Sequence, residues 1–469
     1  MRPLELLSLL LTLPPLVYLL LGRPYPRWLG WVGLTAVLLT LLHLLIERYR
    51  WQMVPAYLLV GCIGVGAIWQ LWAGGTGLPR LAAVVLAVLG LLLFLVAAAL
   101  PIAVPIPKLL PPTGPYAIGT VTYYLRDEGR RETYSPTPSG SRELMVQIWY
   151  PAAAGSDAPR ALYLPDYAIA SPAIAAELKL PGFMFSHLNL ALTEARQGVA
   201  FVEENGRFPL LIFSHGVRAG FRSQNSSQIQ ELVSHGYVVA ALDHTYGGLF
   251  TVFPDGRIVF FNNDTVFGGD YTNLPDAVRL IGVWADDIGF LLGEMGRWDA
   301  GEGEGGGVFN GRLDLTQVGV FGHSTGAGAA VTFCNRDNRC RAGVGLDSWV
   351  EPLDPAAIHL PQPFMFLSTL RWLGDANRAN GQQIFNQLGS QGYWLKIANT
   401  EHFDFSDLPL FSPLTPQLGL SGTINSQYSQ RLINAYLVAF FDQTLKNQPA
   451  DLLTRPDSPY PEVAFMKKG

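Results

Sequence analysis

Gly322-His323-Ser324-Thr325-Gly326 follows the short apolar run Val318-Gly319-Val320-Phe321 and precedes a run of small residues, Ala327-Gly328-Ala329-Ala330-Val331. The order predicts a strand, a tight turn and a helix, with Ser324 on the turn. A serine hydroxyl is a weak nucleophile, so it must stand where a base can reach it. A sharp turn at a strand tip presents it there, and a glycine two positions to either side removes the Cβ atoms that would collide with the neighbouring backbone. In a chain with 49 glycines a G-x-S-x-G match arises easily by chance. Its placement between an apolar run and a helix-forming run sets this one apart.

The 469 residues are 49% hydrophobic and only 15% charged, with a net charge of −5. An acidic balance gives no reason to expect a nucleic-acid partner. The charge deficit is concentrated in the first hundred residues. Leu4–Leu21, Trp28–Ile46, Met53–Trp72 and Leu81–Leu100 are apolar stretches, each near the ~20 residues that cross a bilayer. Pro14-Pro15 interrupts the first. Four stretches in series do not fit a cleaved signal, which has one. The lipid bilayer is therefore an expected partner, and four spans put Met1 and the large C-terminal portion on the same side. The shared side carries Arg2, Arg48, Arg50 and Lys108, the other Arg23, Arg27 and Arg80, a near balance that does not fix the orientation. Cys334 and Cys340 lie close in sequence and suit a disulfide in an exported domain or two thiols in a cytosolic one, which tips the reading slightly outward. His43 lies in the second span with no acidic partner in view, and reads as a packing contact rather than a transport residue.

A Pro-rich linker spans 101–113, with Pro101, Pro105, Pro107, Pro111 and Pro112. The remainder, 114–469, reads as one catalytic domain. Val121–Leu125 and Leu144–Tyr150 form two antiparallel strands. Residues 163–205 are apolar without a regular period, with a short helix at Ala173–Leu180, and suit a cap, a pocket wall or a packed connector. An α/β alternation follows. Pro209–Phe213, Tyr237–Leu242, Ala342–Leu346, Phe364–Leu367 and Tyr393–Ile397 are strands. Ser226–His235, Asp276–Gly296 and Gln427–Gln443 are helices, the second burying Val278, Ile281, Trp284, Ile288 and Leu291. Gly301–Gly307 reads as a flexible loop. The fold class is α/β, an α/β-hydrolase fold with a mostly parallel sheet and helices on both faces, preceded by four transmembrane helices. Ligands in such sheets bind at the strands' carboxyl ends.

That fold orders its catalytic residues as serine, acid, histidine. Of eight histidines only His359 and His402 follow Ser324. His402 sits just past the strand Tyr393–Ile397, where a base can lean over the serine; His359 sits on the way into a strand. The acid comes from Asp337, Asp347, Asp354 or Asp375. Asp347 ends the strand Ala342–Leu346 directly and is preferred, with Asp375 as the alternative. An oxyanion hole needs backbone N–H groups aimed at the developing charge. Thr325, after the nucleophile, supplies one. Val217, in the loop Ser214-His215-Gly216-Val217-Arg218, supplies the other; this loop begins like an H-G-G-G loop but lacks the later glycines.

Several stretches together resemble the platelet-activating factor acetylhydrolase family of the plasma type: Gly114-Pro115-Tyr116-Ala117-Ile118-Gly119, Val146-Gln147-Ile148-Trp149-Tyr150-Pro151, Phe213-Ser214-His215-Gly216, Ser234-His235-Gly236-Tyr237-Val238-Val239-Ala240, Gly319-Val320-Phe321-Gly322-His323-Ser324 and Gly345-Leu346-Asp347-Ser348-Trp349. Their order is preserved over residues 114–445. The resemblance implies Ser324, Asp347 and His402 as the triad, Val217 and Thr325 as the oxyanion amides, no cofactor or metal, and an ester or phospholipid substrate with a short acyl chain. The family's G-H-S-F-G-G elbow is altered here at Thr325 and Ala327. An acyltransferase, a general short-chain carboxylesterase, or an inactive membrane sensor built on the same domain are the competing readings.

Overall fold

The computed structural model describes residues 1–21, 26–73, 78–137, 140–203, 206–455 and 457–468. The chain divides into two compact units. One holds Met1–Pro107 with Ser171–Leu188 and Phe411–Leu414; the other holds the remaining residues.

In the first unit, helices α1 (Pro3–Leu10) and α2 (Leu13–Leu21) make up the first span, followed by α3 (Arg27–Ile46), α4 (Val54–Ala73) and α5 (Arg80–Ala103). Together they supply four helical stretches long and apolar enough to cross a membrane. The first is split because Pro14 and Pro15 cannot donate to the carbonyls one turn earlier, and their rings crowd that turn; the Thr12 hydroxyl instead caps the Leu9 carbonyl at 2.6 Å. The expectation that His43 lacks an acidic partner is corrected. Its Nδ1 lies 2.9 Å from Glu47 Oε2 and its Nε2 2.8 Å from the Tyr57 hydroxyl. Glu47 is one helical turn on from His43, so the pair meets as any i, i+4 pair does. Nearby, buried Glu5 accepts from Arg50 Nε at 2.8 Å and Nη2 at 2.6 Å, and from Arg2 Nε at 2.9 Å. Two later segments belong to this unit. Trp51 donates to the Met184 carbonyl at 3.1 Å and packs edge-on against Phe183, and Ser412 donates to the Ala103 carbonyl at 2.6 Å. Helix α6 (Tyr167–Glu177) starts earlier than the sequence pattern suggests.

The second unit is built on an eleven-stranded sheet. Its strands are β1 (Ala117–Arg131), β2 (Ser141–Ala152), β3 (Arg160–Leu162), β4 (Leu192–Gln197), β5 (Phe208–Ser214) and β6 (Val238–Asp243). A separate hairpin, β7 (Phe250–Val252) with β8 (Ile258–Phe260), intervenes before β9 (Leu313–His323), β10 (Cys340–Leu346), β11 (Phe364–Thr369), β12 (Gly392–Ile397) and β13 (Val463–Lys468). The order is β13-β12-β11-β10-β9-β5-β6-β2-β1-β4-β3. From β12 to β6 every neighbouring pair is parallel; β2 and β13 run antiparallel to the strands beside them.

Alternation along the strands explains the two cores. Leu210 and Ile212 face the layer of α9 (Leu274–Asp299), while Leu211 and Phe213 face that of α7 (Ser226–Ser234) and α13 (Ser426–Leu445). Helix α9 buries Ile281, Trp284, Ile288 and Leu291 as expected, but Val278 is exposed and Leu280 is buried in its place. The glycine-rich stretch expected as a loop winds Gly306–Phe309 into a helical turn, α10, because Phe309 is driven fully into the core.

The chain runs from β5 to β6 on one side of the sheet and returns at β9, on the other side of β5. The sheet order therefore reverses between β5 and β9, where the crevice at the carboxyl ends opens. Phe213 pairs with Phe321 and Ser214 with Gly322, so the two loops leaving this point start level.

Candidate active site

Ser324 directly follows β9, with φ 57° and ψ −119°, a conformation that a non-glycine residue holds only under strain. Four contacts fix it. Its N–H donates to the Leu346 carbonyl at 3.0 Å, and its carbonyl accepts from Trp349 N–H at 2.9 Å, Ala327 N–H at 3.1 Å and Gly328 N–H at 3.2 Å. The glycines act by absence. A Cβ on Gly322 would stand 2.4 Å from the Gly326 carbonyl carbon, and one on Gly326 would stand 2.1 Å from the Ser214 oxygen. Helix α11 (Thr325–Arg336) begins at the next residue. Thr325 N–H thus belongs to the first turn, whose N–H groups have no carbonyl within the helix and carry its positive end.

Asp347 and His402 come together as the chain order suggests. Asp347 follows β10, fully buried and with φ 41°. Its Oδ2 lies 2.6 Å from His402 Nδ1 and its Oδ1 accepts from Thr369 N–H at 2.9 Å. His402 opens a single helical turn, His402–Phe405, and its side chain keeps 24% of its surface exposed. His323, the residue before the serine, lies within 3.0 Å of the His402 carbonyl through Nε2, and its ring stands 4.5 Å from the His402 ring. Burial first, and the neighbouring His402 second, hold His323 well below the usual imidazole range. It stays neutral and donates from Nε2, with Nδ1 accepting from Gln224 Nε2 at 2.8 Å.

The alternatives fall away from this cluster. Asp375 begins helix α12 (Asp375–Gln387) with its carboxylate 92% exposed and paired to Arg378. His359 is exposed, its N–H held by Asn335.

The loop after β5 passes over the serine: a Cβ on Gly216 would lie 3.3 Å from Ser324 Cβ. Gly216 N–H donates to Gln224 Oε1 at 3.2 Å, so one glutamine ties this loop to His323. His215 is buried and depressed by burial below its ordinary pKa. Its Nε2 accepts from His244 N–H at 3.0 Å, which leaves Nδ1 to donate to the Gly216 carbonyl at 2.8 Å. That carbonyl and the Val217 N–H share one peptide plane and point in opposite directions. Holding the first aims the second.

Beneath the loop lies a set of residues that the sequence reading missed. Ser214 Oγ is 2.8 Å from His244 Nε2, and His244 Nδ1 is 2.9 Å from Asp287 Oδ2. Arg142 donates to Asp287 through Nε at 3.1 Å and Nη2 at 2.7 Å, and Arg130 reaches it at 2.9 Å. Trp284 stacks on His244 at 4.1 Å. Burial pushes His244 down to about 3, while Arg142 draws Asp287 well below the carboxylate range despite its own burial. One signal was legible. Asp287 lies on the apolar face of α9, three residues after Trp284 and four before Leu291, and a carboxylate there requires a buried partner.

The family model described as "Platelet-activating factor acetylhydrolase, isoform II" matches residues 105–248 and 307–452. A platelet-activating factor acetylhydrolase of Cavia porcellus is 25% identical over 318 residues, covering 64% of this chain and 72% of that one. A probable 1-alkyl-2-acetylglycerophosphocholine esterase of Arthroderma benhamiae is 26% identical over 411 residues, covering 79% and 97%. Among solved structures, a ferulic acid esterase from Streptomyces cinnamoneus superposes with a TM-score of 0.64 at 30% identity, over 77% of this chain and 99% of that one.

Proposed function

Because the chain belongs to the platelet-activating factor acetylhydrolase, isoform II, family, we propose that its ester-hydrolase activity runs through a Ser324–His402–Asp347 triad and removes a short acyl chain from a phospholipid. The observation that carries the triad is the 2.6 Å contact between Asp347 and His402 Nδ1, on a loop tied to the serine's own turn by His323. With Nδ1–H given to Asp347, His402 Nε2 is left as the base. It takes the proton from Ser324 Oγ as the oxygen attacks the ester carbonyl. The N–H groups of Val217 and Thr325 receive the oxyanion. The tetrahedral intermediate collapses, the alcohol leaves with the proton from His402, and Ser324 is acylated. Water, deprotonated by His402, then releases the carboxylic acid and restores the serine.

Two observations support a phospholipid. The relatives above are named for a phospholipid acetyl ester, and four apolar helices would hold the enzyme at a lipid surface. A fluorophosphonate probe should label the purified protein, and Ser324→Ala should abolish both labelling and hydrolysis of a 2-acetyl phospholipid. Labelling that survives this change removes the triad.

Cys334 and Cys340 are joined in a disulfide, which supports an extracytoplasmic hydrolase unit. An impermeant protease added to intact cells should cut within residues 108–469; protection until the membrane is permeabilised overturns this placement.

A further inference from the structure

Arg218 is the residue after the Val217 amide, and acyl transfer makes no demand on it. Its φ of 66° is one that glycine adopts freely and arginine does not. The backbone is pinned there by its N–H, which donates to the Gly247 carbonyl at 2.8 Å. The side chain is exposed, and among the described residues it forms no ion pair.

Two other segments bear on the serine's turn, the one after β10 and the one that leads into α9. Trp349 N–H donates to the carbonyl of Ser324 itself at 2.9 Å. The Tyr271 ring stacks on Trp349 at 6.1 Å with an interplanar angle of 3°. Burial raises the Tyr271 phenol, and the Arg218 charge acts in the opposite sense. Gly216, two residues before Arg218, passes so close that a Cβ on it would lie 3.3 Å from Ser324 Cβ, and Trp349, with Tyr271 stacked on it, is bonded to Ser324, so Arg218 and this aromatic pair both stem from segments that meet at the serine's turn.

We propose that Arg218 is a phosphate-binding subsite that fixes the phosphodiester of the substrate while the neighbouring ester lies between Ser324 and the Val217 amide. This rests on the esterase reading above. A guanidinium presents a planar fork that matches two phosphate oxygens. In a glycerophospholipid the sn-2 ester and the phosphate hang from adjacent carbons. In the protein the oxyanion amide and the guanidinium belong to adjacent residues. The correspondence names the substrate class as an ester with a phosphate a few bonds away.

The test uses the full chain and two acetyl esters, a 2-acetyl phospholipid and the same glycerol acetate without its phosphate. Arg218→Gly is the informative variant, because glycine relieves the backbone strain and does not threaten the fold. The ratio of kcat/KM for the phospholipid over the neutral ester should fall by about tenfold or more, chiefly through KM. Arg218→Lys should retain part of the preference. In the parent protein glycerol 3-phosphate should inhibit neutral-ester hydrolysis competitively, and Arg218→Gly should weaken that inhibition by a similar factor. An unchanged ratio, or an equal loss on both esters, overturns the subsite and leaves the triad standing. Hydrolysis persisting in Ser324→Ala overturns the triad instead.

Discussion

The hydrolase unit holds two serines associated with His–Asp pairs, and the contrast between the two sets separates the one proposed for catalysis from one that is structural. Asp347 and His402 meet at 2.6 Å, Asp287 and His244 at 2.9 Å. Ser214 is bonded to its histidine at 2.8 Å. The difference lies in access and charge. Ser324 stands on a turn at φ 57° and keeps 9% of its surface accessible, whereas Ser214 is the last residue of β5 and wholly buried. His402 keeps a quarter of its side chain in contact with solvent, while His244 lies sealed under Trp284. Asp287 is already balanced by Arg142 and Arg130. Among the described residues Asp347 has no arginine or lysine partner, so an imidazolium at His402 is the cation placed to balance it. In the buried set the arginines remove that demand, and burial holds His244 neutral. A catalytic triad is thus an arrangement in which the acid waits for the histidine's charge; the same residues with the charge already supplied make a brace. What this brace supports is the loop carrying Val217.

The sharpest way to break the comparison is to remove each serine. Ser324→Ala should lower kcat by about 10⁴-fold or more and lose fluorophosphonate labelling. Ser214→Ala should still be labelled at Ser324, at one probe per chain. Label found on Ser214, or lost with it at unchanged folding, would mean that the buried set is chemically active.

The acids come next. Asp347→Asn keeps the shape but no longer favours the right imidazole tautomer, and kcat should fall by about 10⁴-fold. Asp287→Asn removes the anion that Arg142 and Arg130 share. Breaking a buried ion pair of this kind costs about 3–5 kcal/mol, so denaturant unfolding should register it strongly. If Asp287→Asn instead matched Asp347→Asn in kcat at wild-type stability, the division between machine and brace would fail.

The accessible set was readable from sequence and the buried one was not, for a physical reason. Presenting a nucleophile constrains neighbours in the chain, and Gly322, Ser324 and Gly326 record that constraint locally. Chain order then left two histidines, and Asp347 announced itself by directly ending an apolar run. The parallel core of the sheet followed from the same apolar runs. The brace is assembled from β1, β2, β5, the residue after β6 and the middle of α9, with Arg142 and Asp287 145 positions apart, and no local pattern ties them. Strand β3 escaped notice because it has only three residues, and β4 and β13 because they lie at or near the sheet margins, where few of their residues are buried and no apolar run marks them. The Glu5–Arg50 contact was missed because polar residues flanking apolar stretches read as loop charges until helix packing brings them together; His43–Glu47 is a local i, i+4 pair, missed because Glu47 read as the start of a polar break.

The smallest expected effect is also the most specific to the buried set. An ordinary histidine titrates near 6.5, and His244 in the fold only near 3. Between those values the unfolded chain takes up a proton that the folded one refuses, so stability falls as pH drops from 6.5 toward 3 and is unaffected above 6.5. One proton sets the slope at no more than ~1.4 kcal/mol per pH unit. His244→Gln removes the titrating group while leaving a polar side chain near Ser214 and Asp287. The variant should start less stable at pH 7, and its deficit relative to the parent protein should shrink as the solution is acidified from pH 6.5 to 4. Unfolding followed by tryptophan fluorescence reads this directly, since Trp284 stacks on the ring in question. Parallel stability curves across that range would show that His244 is protonated in the fold, and Asp287 would then be balancing its imidazolium as well as two arginines, which is the property assigned here to Asp347 alone.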